Sequence, residues 1–252
     1  MKNSLKQEFY KFSYQKTPIY GFLALLVLMI YTILSGNVNK SMITQAFGAG
    51  QWLSIIMITI SSTFLTMEYK NNTMITLLYK SSSKLQVYLS KILVMIIYSI
   101  FLLVTSFVFT LILKAISSGN KFLWSELYGQ NTLFSGLILT LIGTFIYLLF
   151  TISLAFLLIT LFKNNAAVIC LGLVIAFLGA SLSSVIMDNF PRLIPLMKWN
   201  PLNMIYVMNQ LNKTPIFSNI SHLSNWQLIN GNIVYIMIFN LLGYLLFKRR
   251  RV

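Results

Sequence analysis

The side chains able to do acid–base, nucleophilic or metal chemistry are few and far apart. The chain has four acids (Glu8, Glu68, Glu126 and Asp188), one histidine (His222) and one cysteine (Cys170) in 252 residues. Hydrolysis by paired acid and base needs two such groups within hydrogen-bond reach, and a catalytic metal needs three or more ligands. None of the four acids falls deep in an apolar run, and no Lys, Arg or His does either. Ion-coupled carriers use ionisable groups near the membrane midplane, so this pattern argues against a secondary transporter. It argues equally against an intramembrane protease or a metalloenzyme. No GxxxxGK[ST] stretch is present; "NKT" at 212 lacks the preceding glycine. Cys170 sits alone in an apolar run, which excludes an internal disulfide or thiolate cluster, and it reads as a small packing residue. If the chain moves anything actively, the energy comes from another protein.

The residues left to do work are mechanical. The stretch "MEYKNNTMITLLYKSSSKLQVYLSKIL", 67–93, lies between two apolar runs and holds one acid, four lysines and a serine cluster. Asn71, Asn72 and Thr73 are helix-cap types, and Met74, Leu77 and Leu78 give an i, i+3, i+4 face. Ser81, Ser82 and Ser83 interrupt it, and Leu85, Tyr88, Leu89 and Ile92 resume a face running into the next apolar run. This predicts a short helix, a serine turn and the start of a span. In "MKNSLKQEFYKFSYQK", Leu5, Phe9 and Phe12 make an apolar stripe flanked by lysines. It reads as a helix lying in the headgroup layer or as a frayed basic tail.

The elements that must position these stretches are membrane spans. The chain is 57% hydrophobic and 9% charged, with mean hydropathy +0.78. Soluble domains carry about 25% charged residues. Runs of about twenty apolar residues recur, the length that crosses a hydrocarbon core as a helix. The expected architecture is all-α and polytopic, with six transmembrane helices at about 19–36, 51–67, 92–113, 132–162, 166–187 and 230–247. Residues 1–17 precede them as the interfacial helix, 68–91 form a polar connection, and 188–229 form a long loop. The second run is the weakest, with Ser54, Thr59, Ser61, Ser62, Thr63 and Thr66. No cleavage site of signal-peptide type follows the first run.

Net charge is +15, but its distribution argues for a membrane and against nucleic acid. Thirteen of the nineteen basic residues fall on the side of the termini and the 68–91 connection, which predicts cytoplasmic termini in a multi-pass membrane protein. Trp52, Trp124, Trp199 and Trp226 fall on the other side, as an interfacial belt. On that side, Pro191, Pro195 and Pro201 cut the long loop into pieces too short to span, and Met204, Val207, Met208 and Leu211 share a helical face. The segment either dips back into the membrane or caps the outer mouth. In the fifth span, Gly172, Ala176, Ala180 and Ser184 recur every four residues, a ridge for close helix approach within the chain or to a second copy. Ser61, Ser62, Thr63, Thr144 and Thr151 offer uncharged hydrogen-bonding points along a pathway, or simply pack helices.

With these residues in view, the chain resembles the membrane subunit of type-2 ABC exporters, with an ABC-2, type V exporter-like transmembrane domain. The start "LKQEFYKF" (Leu5, Glu8, Phe9, Phe12) is similar to the interfacial connecting helix of Gram-positive permeases that export phenol-soluble modulins or confer lantibiotic immunity. The 67–93 stretch is similar to the coupling-helix region, with Glu68, Thr73, Leu77, Leu78, Ser82, Lys84 and Lys91 matching its pattern. The family's turn glycine is Asn72 here and its break proline is Ser81. The resemblance implies a dimer, with a second copy or sister permease, and two ATPase subunits that bind ATP and Mg. It also implies first and fifth spans at the seam, with Gly172, Ala176, Ala180 and Ser184 as candidates, and a helical hairpin in the last outer loop. The chain itself would hold no cofactor and no catalytic or metal residue. The function implied is ATP-driven export of amphipathic, antimicrobial-type peptides from a bacterial cell. The alternative is a non-transporting immunity or sensor protein that binds a peptide toxin at its outer loop.

Overall fold

Capping residues and prolines set the helix boundaries. The computed structural model describes residues 2–70, 83–119, 121–162 and 164–249. Helix α1 (Lys2–Ser13) bends into α2 (Thr17–Leu34), with Pro18 in its first turn, where no backbone donor is lost. Asn39 caps the short α3 (Lys40–Thr44) by accepting from Met42 N at 2.9 Å. A 3-10 turn at Ala46–Gly48 leads into α4 (Ala49–Lys70). Ser83 caps α5 (Lys84–Ser118), accepting from Gln86 N at 3.2 Å. At 35 residues α5 is about 52 Å long, well beyond the hydrocarbon thickness, so the third span extends past 92–113 at both ends. A small hairpin, β1 (Leu127–Tyr128) with β2 (Asn131–Thr132), precedes α6 (Leu133–Phe162). Asn164 caps α7 (Asn165–Asn189), accepting from Ala166 N at 3.0 Å.

The next segment is a series of short helices, each begun near a proline. A 3-10 turn at Pro191–Leu193 leads to α8 (Ile194–Met197), and a 3-10 stretch at Pro201–Tyr206 leads to α9 (Val207–Gln210). Then come α10 (Thr214–Ser221) and α11 (Asn225–Arg249). Among the described residues six helices, α2, α4, α5, α6, α7 and α11, are long and apolar enough to cross a membrane.

The second and fourth spans form the centre. In each, 67% of the apolar window is buried, against 17% in α2 and 22% in α7 and in α11. The weakest apolar run is therefore one of the two most enclosed. Most of its hydroxyls bond its own backbone: Thr59 donates to Ile55 O at 2.9 Å, Thr63 to Thr59 O at 2.7 Å, and Thr66 to Ser62 O at 2.7 Å. Ser61 is the exception, buried with no partner among the described residues. Such back-bonding lets a polar helix sit inside a bundle with few unsatisfied donors.

The long loop before α11 packs into the bundle. Met204 and Val207 are fully buried, and Met208 and Ile205 nearly so. A side chain at Gly143 would collide with the Val207 carbonyl, so glycine is what allows the approach. Gly143 lies ten residues into α6, about 15 Å along its axis. Backbone at that depth must be satisfied internally. Asn203 Nδ2 donates to Lys198 O at 2.6 Å and to Ser221 O at 2.8 Å, and Gln210 Nε2 donates to Leu223 O at 2.7 Å.

Candidate functional site

On the face that carries both termini, α1 is docked by a buried ion pair. Leu5, Glu8 and Phe12 share one helix face by spacing, and Glu8 and Phe12 are buried while Phe9 is 47% exposed. Lys91 Nζ, two turns into α5, lies 2.6 Å from Glu8 Oε2, and both side chains are buried. Lys11 Nζ stands 3.4 Å from Glu8 Oε1 at the more exposed edge. Lys91 Nζ also sits 4.3 Å from the centre of the Phe64 ring on α4, a cation–π contact. Phe12 meets Phe64 at 5.2 Å and Tyr98 at 5.1 Å between ring centres, both edge to face. Tyr98 Oη donates to Pro18 O at 2.7 Å. One cluster thus ties α1, the start of α2, α4 and α5.

This matters because of where Phe64 and Lys91 stand in the chain. Phe64 is six residues before the end of α4, and Lys91 is seven residues after the start of α5. They are the two roots of the polar connection, and α1 holds both. The α5 root is gripped from its other side as well. Tyr88 is buried, with its ring 5.7 Å from Phe156 of α6 and 5.6 Å from Phe247 of α11. Lys84 Nζ donates to Lys248 O at 3.3 Å, a cation on the carbonyl end of α11. Glu68 lies in the last turn of α4. Thr73, Leu77, Leu78 and Ser82 lie outside the described residues.

The pairing of Glu8 with Lys91 went unread in the sequence, although both residues were singled out. The available signal was an acid on the apolar face of a basic helix, in a chain with only three other acids.

The small-residue ridge of α7 faces the chain's own elements. Gly172 packs directly on Ile58 of α4, and Ala176 is buried. The Ala180 carbonyl accepts from Tyr206 Oη at 3.1 Å, and Ser184 Oγ donates to Ser181 O at 3.0 Å. Ser183, one position away, joins Asn203 and Asn200 in a buried network at 3.2 Å and 3.0 Å. The outward face of α7 is instead large and apolar: Leu171, Val174, Leu178, Leu182 and Val185.

On the opposite face, α4, α6, α7 and the inserted loop enclose a cavity of about 290 Å³. Its polar lining is Gln45, Gln51, Thr140, Thr144, Tyr206 and Asn209, and its apolar lining includes Met208, Phe177 and Phe217. No charged side chain lines it. Thr140 is buried, and its Oγ1 has no hydrogen-bond partner among the described residues. Of the hydroxyls proposed along a pathway, only Thr144 reaches this cavity, and it donates to Thr140 O at 2.8 Å. Ser62, Thr63 and Thr151 return theirs to their own helix at 2.7–3.0 Å. Beside the cavity, Ala46 and Phe47 hold φ at 50°, a left-handed conformation that side chains disfavour. Complete burial of both residues keeps them there.

The loops on this face are tied together. Lys40 Nζ lies 2.8 Å from Glu126 Oε2, Lys213 Nζ donates to Ser41 Oγ at 2.7 Å, and Asn131 Nδ2 donates to Asn212 O at 3.1 Å.

No curated protein matches the chain with significance. The profile of the family described as ABC-2 family transporter protein matches residues 4–179, from α1 through most of α7. That is more than half of the chain and includes the docked α1, both roots of the polar connection and five of the six spans. The chain belongs to the ABC-2 family of transporter proteins and is the membrane component of an ABC transporter.

Proposed function

We propose that this permease exports amphipathic, antimicrobial-type peptides, driven by two ATPase subunits that carry the ATP and Mg. The observation that carries the cargo class is the cavity of about 290 Å³, with amide, hydroxyl and phenol groups on one part of its wall and Met208, Phe177 and Phe217 on another. A residue or two at a time of a peptide with one apolar and one polar face fits such a wall, whereas a hydrated ion would meet no charge there. In this reading both termini are cytoplasmic, in the cytoplasmic membrane of a Gram-positive bacterium, and the cavity opens outward. The chain pairs with a second copy or a sister permease.

The ATPase docks on residues 68–91, where Glu68, Thr73, Leu77, Leu78, Ser82 and Lys84 supply the contact. Its motion reaches the spans through the two roots held by α1, so α4 and α5 move as one body. The large apolar face of α7, with Gly172, Ala176, Ala180 and Ser184 supporting it from behind, is the seam between permeases.

The test is reconstitution of the chain with its co-purifying ATPase in vesicles, followed by addition of a cationic amphipathic helical peptide. ATP-dependent accumulation of the peptide and stimulation of ATP hydrolysis are expected. Tight peptide binding with no accumulation and no ATPase in the purified complex would instead support a toxin-binding immunity protein.

A further inference from the structure

We infer that a groove between α1, α2 and α5, on the side of the termini, holds one acyl chain of an anionic membrane phospholipid. The groove encloses about 420 Å³ and its lining surface is entirely apolar. Phe9, Ile19 and Phe101 stand at its rim, each about half exposed, so it opens toward whatever surrounds the spans.

The polar groups around it are already engaged. Ser13 Oγ donates to Tyr10 O at 2.9 Å, and Tyr98 Oη donates to Pro18 O at 2.7 Å. Glu8 and Lys91 are buried against each other behind Phe12. An occupant with amide groups would leave them unsatisfied against this wall, which costs about 1–3 kcal/mol per group in protein measurements; a hydrocarbon chain leaves none.

Charge selects the headgroup. Lys16 is exposed on the bend between Ser13 and Pro18, both of which line the groove. Lys6 is exposed one helical turn before Phe9. Two cations at the polar end of an apolar groove, where a span leaves the membrane, fit a phosphate. The occupant wedges between α1 and the spans next to the Glu8–Lys91 pair, so it stiffens the docking of α1.

The test uses the full-length chain in phosphatidylcholine vesicles containing a trace of phosphatidylglycerol with a photoactivatable diazirine near the end of one acyl chain. Labelling is expected to concentrate on peptides spanning 9–22 and 97–101, rather than on the equally exposed faces of α7 and α11. Neutralising Lys6→Gln and Lys16→Gln together should lower it by about fivefold or more, given the usual effect of a basic residue near an anionic surface. Filling the groove with Ile97→Trp should remove it while thermal unfolding stays unchanged. Even labelling over all lipid-facing helices, or equal labelling of the groove by the phosphatidylcholine version of the probe, overturns the assignment. So does a disulfide between two copies through Ile97→Cys in a Cys170→Ala background, which would make the groove a subunit contact.

Discussion

Lys91 Nζ and Glu8 Oε2 are 2.6 Å apart with both side chains buried, and this pair joins the first helix of the chain to the third span. A buried ion pair gains little net stability over a well-packed apolar pair, because both charges lose water. Its value lies in specificity of docking: only one register of α1 brings Glu8 onto Lys91 and Phe12 into the angle between Phe64 and Tyr98. Removing Glu8 takes the carboxylate from buried Lys91, and removing Lys91 leaves Glu8 with the longer, more exposed Lys11 contact at 3.4 Å. Glu8→Gln and Lys91→Met are each expected to destabilise by roughly 3–5 kcal/mol, the usual result of removing one member of a buried pair. The double variant should recover most of that loss. Thermal unfolding in mild detergent measures all three, and single variants as stable as the parent would sink the idea.

The proposed coupling role of the polar connection is tested by changes within it. Leu77→Asp with Leu78→Asp, or proline at either position, is expected to abolish co-purification of the ATPase while leaving membrane insertion intact. Proline removes a helix hydrogen bond and costs about 3 kcal/mol in a helix interior, so a docking helix would not survive it. Normal pull-down would count against docking here.

The loops on the face away from the termini should loosen in acid. The Glu126 carboxyl is held below its ordinary range, first by the Lys40 side chain and then by the Leu123 N–H. A carboxyl lowered in the folded state contributes stability that is present above its ordinary pKa, about 4.3 for Glu, and lost as pH falls through the folded value. Amide protection in residues 121–132, relative to the intrinsic exchange rate at each pH, should therefore fall only below about pH 4 in the parent chain. In Lys40→Ala it should already be lower at neutral pH. Identical exchange in both at neutral pH would remove the pair from the account.

The spans were legible because length and apolarity suffice to mark a helix that crosses lipid. The same criterion failed at the start of α5. Lys84, Gln86, Ser90 and Lys91 look like solvated loop in composition, yet Ser90 and Lys91 are buried, Lys91 against Glu8 of α1 and Phe64 of α4. Only the periodic Leu85, Tyr88, Leu89, Ile92 face hinted at helix there, and Leu85 proves exposed. The ridge on α7 was legible as a place of close approach, but spacing cannot say which helix approaches. Ile58 supplies that answer for Gly172. The prolines of the long loop marked its breaks well, since each begins a short helix. Its burial rests on Asn203, Gln210 and Ser221 satisfying one another and nearby backbone, across separations of 11 to 18 residues that no local spacing rule reads.

The insertion of that loop depends on Gly143. Any Cβ at this position meets the Val207 carbonyl, and backbone cannot step aside as a flexible side chain can. Gly143→Ala is expected to destabilise by about 1–3 kcal/mol, the usual range for overpacking, despite the helix propensity that alanine adds. Amide exchange should rise across 201–210 while α2 and α5 stay unchanged. A uniform rise across the bundle would mean that the loop is not the element displaced.

Thr140 separates the demands of folding from those of the cavity. Its hydroxyl is buried at the cavity wall without a partner among the described residues, which in a finished protein interior is a cost with no return. Thr140→Val keeps the shape and removes that hydroxyl, so stability should hold or rise, by up to roughly 1–3 kcal/mol if the group is fully desolvated. If the hydroxyl serves the cargo, the same variant loses one hydrogen bond to it. The peptide concentration that half-stimulates ATP hydrolysis should then rise roughly 2–10-fold, the equivalent of a net hydrogen bond of about 0.5–1.5 kcal/mol. Stability and transport moving in opposite directions is the signature to look for, because a purely structural hydroxyl would change stability alone. A variant with unchanged peptide response would take Thr140 out of the pathway and leave the cavity to Gln45, Gln51 and Asn209.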